Sequence, residues 1–142
     1  MELKESINEL EENMLTDLAA LVKHPSKRGD ALPGKPFGEG PASALAEALS
    51  IAERMGFRTK NLDNYCGYAE IGEGDDIIGL VAHLDVVPEG DGWKSDPFTM
   101  IREGDVVYGR GVSDDKGGAI ASLYTLQMIR EQIGRASCRE RV

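Results

Sequence analysis

Leu3, Ile7, Leu10, Met14 and Leu18 recur at spacings of three and four, which predicts one amphipathic helix at the start of the chain. Glu2, Glu5, Glu9 and Glu12 lie on its outer face, where the first of them also suit the positive end of the helix dipole. The helix should stop near Lys23, because Pro25 disfavours a helical His24 and cannot continue the ladder itself. His24 is therefore expected at the surface rather than as a ligand. Residues 26–41, SKRGDALPGKPFGEGP, form a glycine and proline loop, and the Arg28-Gly29-Asp30 within it matches a cell-adhesion tripeptide by letters only. Pro41 suits the first position of a second helix, with Leu45, Ala48, Leu49, Ala52 and Met55 on the core face and Gly56 as its stop.

Beyond Gly56 the pattern shortens. Residues 57–62 and 65–71 read as strands separated by Asp63-Asn64, and turn residues Gly72-Glu73-Gly74-Asp75 follow. Residues 77–82 are apolar on both faces, as a central strand covered by helices on each side would be. A last helical pattern runs through Ile120, Leu123, Leu126 and Ile129 and breaks at Gly134. Strands alternating with helices predict an α/β layered sheet.

The 142 residues are 41% apolar and 29% charged, the balance of a globular chain with a core. A net charge of −9 without clustered Lys and Arg argues against nucleic-acid and anionic-membrane partners. The start has no apolar signal region, and six apolar residues in a row cannot span a bilayer. A cytoplasmic location is expected.

Residues 133–142, IGRASCRERV, have no apolar face and resemble the translation of a sequencing-library adapter, so they are expected to be a non-native tail. Without them the chain carries 13 basic and 24 acidic side chains, and Cys66 has no partner. No disulfide framework is then possible, a reducing compartment fits, and Cys66 is expected to be a small packing residue.

In GLVAHLDVV, residues 79–87, His83 and Asp85 stand at the carboxyl end of the apolar run, where ligands bind in open α/β sheets. In an extended chain residues i and i+2 point to one side, so the Asp85 carboxylate can accept a hydrogen bond from one imidazole nitrogen and leave the other for a metal. Alone, the pair is better read as a histidine satisfied by a neighbouring carboxylate at a strand end. Residues 108–120, YGRGVSDDKGGAI, form a glycine-framed loop leading into a helix. Lys116 lacks the neighbours of a phosphate-binding loop, Asp114 occupies the third glycine place of a dinucleotide fingerprint, and Ser113 has no nucleophile elbow.

GLVAHLDVVPEGDGWKSDPF followed by YGRGVSDDKGG resembles the di-zinc amidohydrolases, a family of aminoacylases, carnosinases, carboxypeptidases and desuccinylases. PFGEGP at 36–41 and GW-x-x-DPF at 92–98 look most like its bacterial dipeptidase branch, the PepV-like Xaa-His dipeptidases. The resemblance implies a central mixed sheet flanked by helices, with residues 1–132 as the N-terminal portion of the catalytic domain. It implies two zinc ions, His83 as a ligand of one, Asp114 bridging both, Asp85 orienting His83, and a cis peptide at Asp114-Asp115. It places Asp115 outside the ligand set, and places a glutamate base, further ligands and a lid domain downstream. The expected substrate is a small dipeptide, and this chain alone is expected to be inactive. An N-acyl amino acid or succinyl-diamine substrate, or a metal-binding remnant without catalysis, are the alternatives.

Overall fold

The computed structural model describes residues 3–133 and 139–141. Three helices, α1 (Leu3–Val22), α2 (Glu39–Arg54) and α3 (Lys116–Ile133), accompany six strands: β1 (Arg58–Leu62), β2 (Cys66–Ile71), β3 (Ile77–Gly79), β4 (Ile101–Glu103), β5 (Val106–Tyr108) and β6 (Arg139–Arg141). β4 and β5 form a separate hairpin, and the other four make a mixed sheet in the order β1-β2-β6-β3. β1 and β2 are antiparallel from Arg58 opposite Glu70 to Leu62 opposite Cys66. β6 runs antiparallel to β2 and parallel to β3. Asp63 and Asn64 turn the first hairpin with φ of 53° and 58°, a left-handed pair that short polar side chains tolerate.

The core lies where α1, α2 and α3 meet the β1-β2 hairpin. Leu18, Leu21 and Val22 of α1, Ile51 and Ala52 of α2, Ala69 of β2, and Ile120, Leu123 and Leu126 of α3 are all buried in it. A polar knot ties the helices together. Asp17 is buried in α1, and its carboxylate accepts Arg54 Nη2 from α2 at 2.9 Å and the Tyr124 hydroxyl from α3 at 2.7 Å. Both oxygens are thereby used, as a buried carboxylate requires.

The predicted first helix, first two strands and last helix stand where the periodicity puts them, within a few residues. α2 begins at Glu39, so Pro41 is its third residue rather than its first. Cys66 is exposed rather than packed. The apolar run at 77–82 departs most from expectation. Only Ile77–Gly79 is strand, Ile77 and Ile78 are exposed, and Val81 is 97% exposed. β3 lies at the far edge of the sheet, whereas α2 packs over β1 and β2, so the run has the composition of a covered strand without the cover. An apolar cleft of about 360 Å³ beside Leu49, Tyr68, Leu80 and Leu123 continues this surface. The backbone of residues 139–141, within the stretch expected to be a non-native tail, lies in the sheet between β2 and β3.

No described helix is long and apolar enough to cross a membrane. The exposed row of Ile77, Ile78 and Val81 should make the 142-residue chain self-associate. Sedimentation velocity at micromolar concentration is expected to show concentration-dependent species that diminish in an Ile78→Thr, Val81→Ser variant. A monodisperse wild-type monomer would contradict this.

Candidate metal centre

His83 and Asp85 lie in residues 80–90, which follow β3 and join no ladder, and Asp114 lies in the loop before α3. The fold brings them together across 31 residues of sequence: His83 Nε2 is 2.9 Å from Asp114 Oδ1. On the other side of the ring, Nδ1 is 3.2 Å from Asp85 Oδ1 and 3.1 Å from the Asp85 carbonyl oxygen. The two-residue spacing thus puts the Asp85 carboxylate at one nitrogen and leaves the other facing Asp114. Asp115 meets the backbone instead, its Oδ2 accepting the His83 amide at 3.2 Å. The Asp114-Asp115 peptide is cis.

Both ring nitrogens face acceptors. Partial desolvation, the largest single influence, disfavours a charged His83, but the Asp114 carboxylate, the Asp85 carbonyl and both negative charges outweigh it. The pKa is held above its ordinary 6.5. The place between Nε2 and Oδ1 is therefore one where positive charge is stabilised. An imidazole nitrogen and a carboxylate oxygen are donors that suit zinc and similar divalent cations. They fit such an ion in kind but are too few to enclose it: among the described residues no group of three His, Cys, Asp or Glu side chains converges. His24, not expected to be a ligand, stands apart with its Nε2 3.7 Å from a Glu47 carboxylate oxygen.

The glycines around the aspartates are steric requirements. A Cβ on Gly118 would fall 2.1 Å from Asp115 Oδ1, so the first turn of α3 can approach this carboxylate only without a side chain there. The GW-x-x-DPF stretch is fastened locally. Trp93 Nε1 and Arg110 Nη2 both donate to the Glu89 carbonyl, at 2.7 and 2.9 Å, while the Glu89 carboxylate pairs with Lys27 at 2.8 Å. Asp96 accepts the Phe98 amide and the Thr99 hydroxyl. Beside His83 and Asp85 opens a cleft of about 400 Å³ with Arg28, Phe37, Asn64 and Tyr65 on its walls. The Phe37 and Tyr65 rings meet edge to face at 5.6 Å.

Residues 79–138 match the family described as Peptidase family M20/M25/M40. Over that stretch the chain is similar to the M20 peptidases. Two curated proteins, each named "Putative dipeptidase", are similar to it. YtjP of Bacillus subtilis is 52% identical over 99 residues, covering 70% of this chain and 21% of that protein. A Staphylococcus haemolyticus protein is 42% identical over 130 residues, covering 90% of this chain and 28% of its own length. The chain thus spans between a fifth and three tenths of the length of these two relatives. Among solved structures, human carnosine dipeptidase 1 superposes with a TM-score of 0.77 at 22% identity, over 96% of this chain and 32% of that one, and shares the fold. The M20 metallo-carboxypeptidase Sso-CP2 of Sulfolobus solfataricus gives 0.69 at 25% identity, over 90% and 29%.

Sequence reasoning passed over Lys116 and Ser26. Lys116 is completely buried without an acidic partner, and its Nζ donates to the carbonyls of Leu21 at 3.1 Å and His24 at 2.7 Å. Burial pushes its ammonium down to about 8, against the pull of two carbonyls at the negative end of α1. The folded state therefore holds this proton less tightly than the unfolded chain does, and stability should rise as pH climbs from about 8 toward 10.5. Tyr124 works in the opposite sense above pH 10, since burial and its bond to Asp17 raise its pKa. Comparing wild type with Lys116→Met by urea denaturation at pH 7.5 and pH 10 isolates the lysine. The wild type should gain on the variant at the higher pH, and a constant difference would refute the assignment.

Proposed function

We propose that the full-length protein is a cytoplasmic, zinc-dependent dipeptidase and that these residues supply one side of its metal centre. The observation that carries the reading is the 2.9 Å approach of His83 Nε2 to Asp114 Oδ1, with Asp85 at the opposite ring nitrogen. The dipeptidase names borne by the B. subtilis and S. haemolyticus proteins support the choice of substrate class.

In this reading Nε2 of His83 and the Asp114 carboxylate would hold the zinc. A bound zinc pair supplies an acidified water and a polarised amide carbonyl, the two requirements of amide hydrolysis at neutral pH. Asp85 accepts the Nδ1 proton, which fixes the tautomer that presents an Nε2 lone pair and raises the basicity of that nitrogen. Binding requires that Nε2 give up its proton, so the carboxylates that favour the charged ring also make protons compete with metal at low pH. Asp115, bonded to the His83 amide, orients the backbone rather than the ion. The cleft with Arg28, Phe37 and Tyr65 has room for a substrate side chain. With two donors among the described residues, hydrolysis by this chain alone is not expected.

The full-length protein should hydrolyse dipeptides, lose that activity to a chelator and regain it with zinc. Asp85→Asn should lower kcat/KM by roughly 10- to 100-fold, as loss of a partner that orients a metal-bound histidine does, and His83→Ala and Asp114→Ala by more. Hydrolysis of N-acyl amino acids but not dipeptides, or activity indifferent to the chelator, would overturn the proposal.

A further inference from the structure

The two segments that carry the candidate site are both fastened to a third that contributes no ligand, the turn at the end of α1. On one side, Ser26 Oγ donates to the Leu84 carbonyl at 2.5 Å and the Ser26 carbonyl accepts the Val86 amide at 3.1 Å. These bonds grip the chain immediately before and after Asp85 and one residue from His83. On the other side, Lys116 Nζ donates to the Leu21 and His24 carbonyls, two residues beyond Asp114, while its amide donates to the Gly111 carbonyl at 2.9 Å and closes the loop that holds both aspartates. The two grips meet within the turn, because the Ser26 amide itself donates to the His24 carbonyl at 2.8 Å. Ser26 and Lys116 are both fully buried.

The turn has no room to move back. A Cβ on Gly40 would lie 2.3 Å from the Pro25 carbonyl oxygen, so the start of α2 presses directly on it. The direct contacts among His83, Asp85 and Asp114 are, by contrast, between half-exposed or exposed groups, and exposed ion pairs hold geometry weakly. Nor is Lys116 placed to act on a substrate, since its ammonium is buried and engaged with carbonyls of the α1 turn.

We infer that the turn spanning residues 21–26 is a clamp that sets the spacing of His83 and Asp114, with Ser26 and Lys116 as its two positioning residues. The consequence for metal binding rests on the metallopeptidase reading, whereas the clamp itself does not. The His83 amide reports on it directly, because its acceptor, Asp115 Oδ2, belongs to the opposite segment.

Hydrogen exchange followed by mass spectrometry in the 142-residue chain, at sub-micromolar concentration, tests the clamp without metal. Ser26→Ala and Lys116→Met should each speed exchange at His83 by about tenfold while leaving the Ile51 amide in α2 unchanged. Tyr124→Phe, which loosens the distant bond to Asp17, serves as control and should leave His83 within about twofold of wild type even if it lowers the melting temperature as much. If Lys116→Met fails to fold, Ser26→Ala decides alone. Unaltered exchange at His83 in Ser26→Ala, or an equal rise in Tyr124→Phe, overturns the inference. In the full-length protein with cobalt replacing zinc, Ser26→Ala should weaken cobalt affinity and alter the visible d-d bands, and Tyr124→Phe should do neither; a Ser26→Ala spectrum and affinity equal to wild type also overturns it. A wild-type protein that binds no cobalt and hydrolyses no dipeptide sinks the functional reading, and the exchange result still decides the clamp.

Discussion

A site built from loops needs its backbone held by something other than a ladder. Residues 80–90 and the loop before α3 join no sheet, so their amides and carbonyls must find partners elsewhere or remain in water. α1 has the complementary need, because the last carbonyls of any helix lack donors within it. Lys116 and Ser26 answer both at once. A buried ammonium with no carboxylate is costly unless its donors are met. The Leu21 and His24 carbonyls meet them at the helix end whose dipole favours a cation. Without such anchors, the bonds among His83, Asp85 and Asp114 would have to hold the loops themselves. Exposed pairs of that kind contribute about 0–1 kcal/mol each.

The helices and the first hairpin were legible in the sequence because their signals are local. Spacings of three and four mark α1 and α3, and Asp63-Asn64 between two β-prone runs marks a turn that needs two residues at positive φ. The apolar run at 77–82 was misread because composition reports what a strand is suited to face, not whether anything faces it. β3 stands at the sheet edge away from β1 and β2, over which α2 packs. The β4-β5 hairpin went unassigned although Gly104-Asp105, with φ of 62° at the glycine, separates its strands. Three residues on each side are too few to show alternation.

The site divides along the same line. His83 with Asp85 is a two-residue pattern, and its geometry follows from side chains alternating along an extended chain. Asp114 stood out because glycines surround it, and those glycines have steric reasons, Gly118 against the Asp115 carboxylate and Gly117 against the Val112 carbonyl. The partners that hold these residues left no trace in the sequence. Ser26 reaches Leu84 across 58 residues and Lys116 reaches Leu21 across 95, separations at which no periodicity operates. Lys116 could be recognised only as a lysine that fails the phosphate-loop pattern, because its role depends on where a distant helix ends.

The middle of the sheet illustrates what backbone bonding can and cannot specify. Peptide groups make the ladder, so the slot between β2 and β3 accepts any extended segment free of proline. Side chains decide whether that segment belongs in a core. A strand covered on both faces reads as a continuous apolar run, and Arg139–Arg141 is three charged residues. β3 beside it offers Ile77 and Ile78 to a neighbour that brings no apolar residue, and both remain exposed. The segment therefore satisfies the hydrogen bonds of the slot while leaving its apolar surface unburied. The mismatch lies in the side chains alone, since an apolar strand in the same slot would turn it into core.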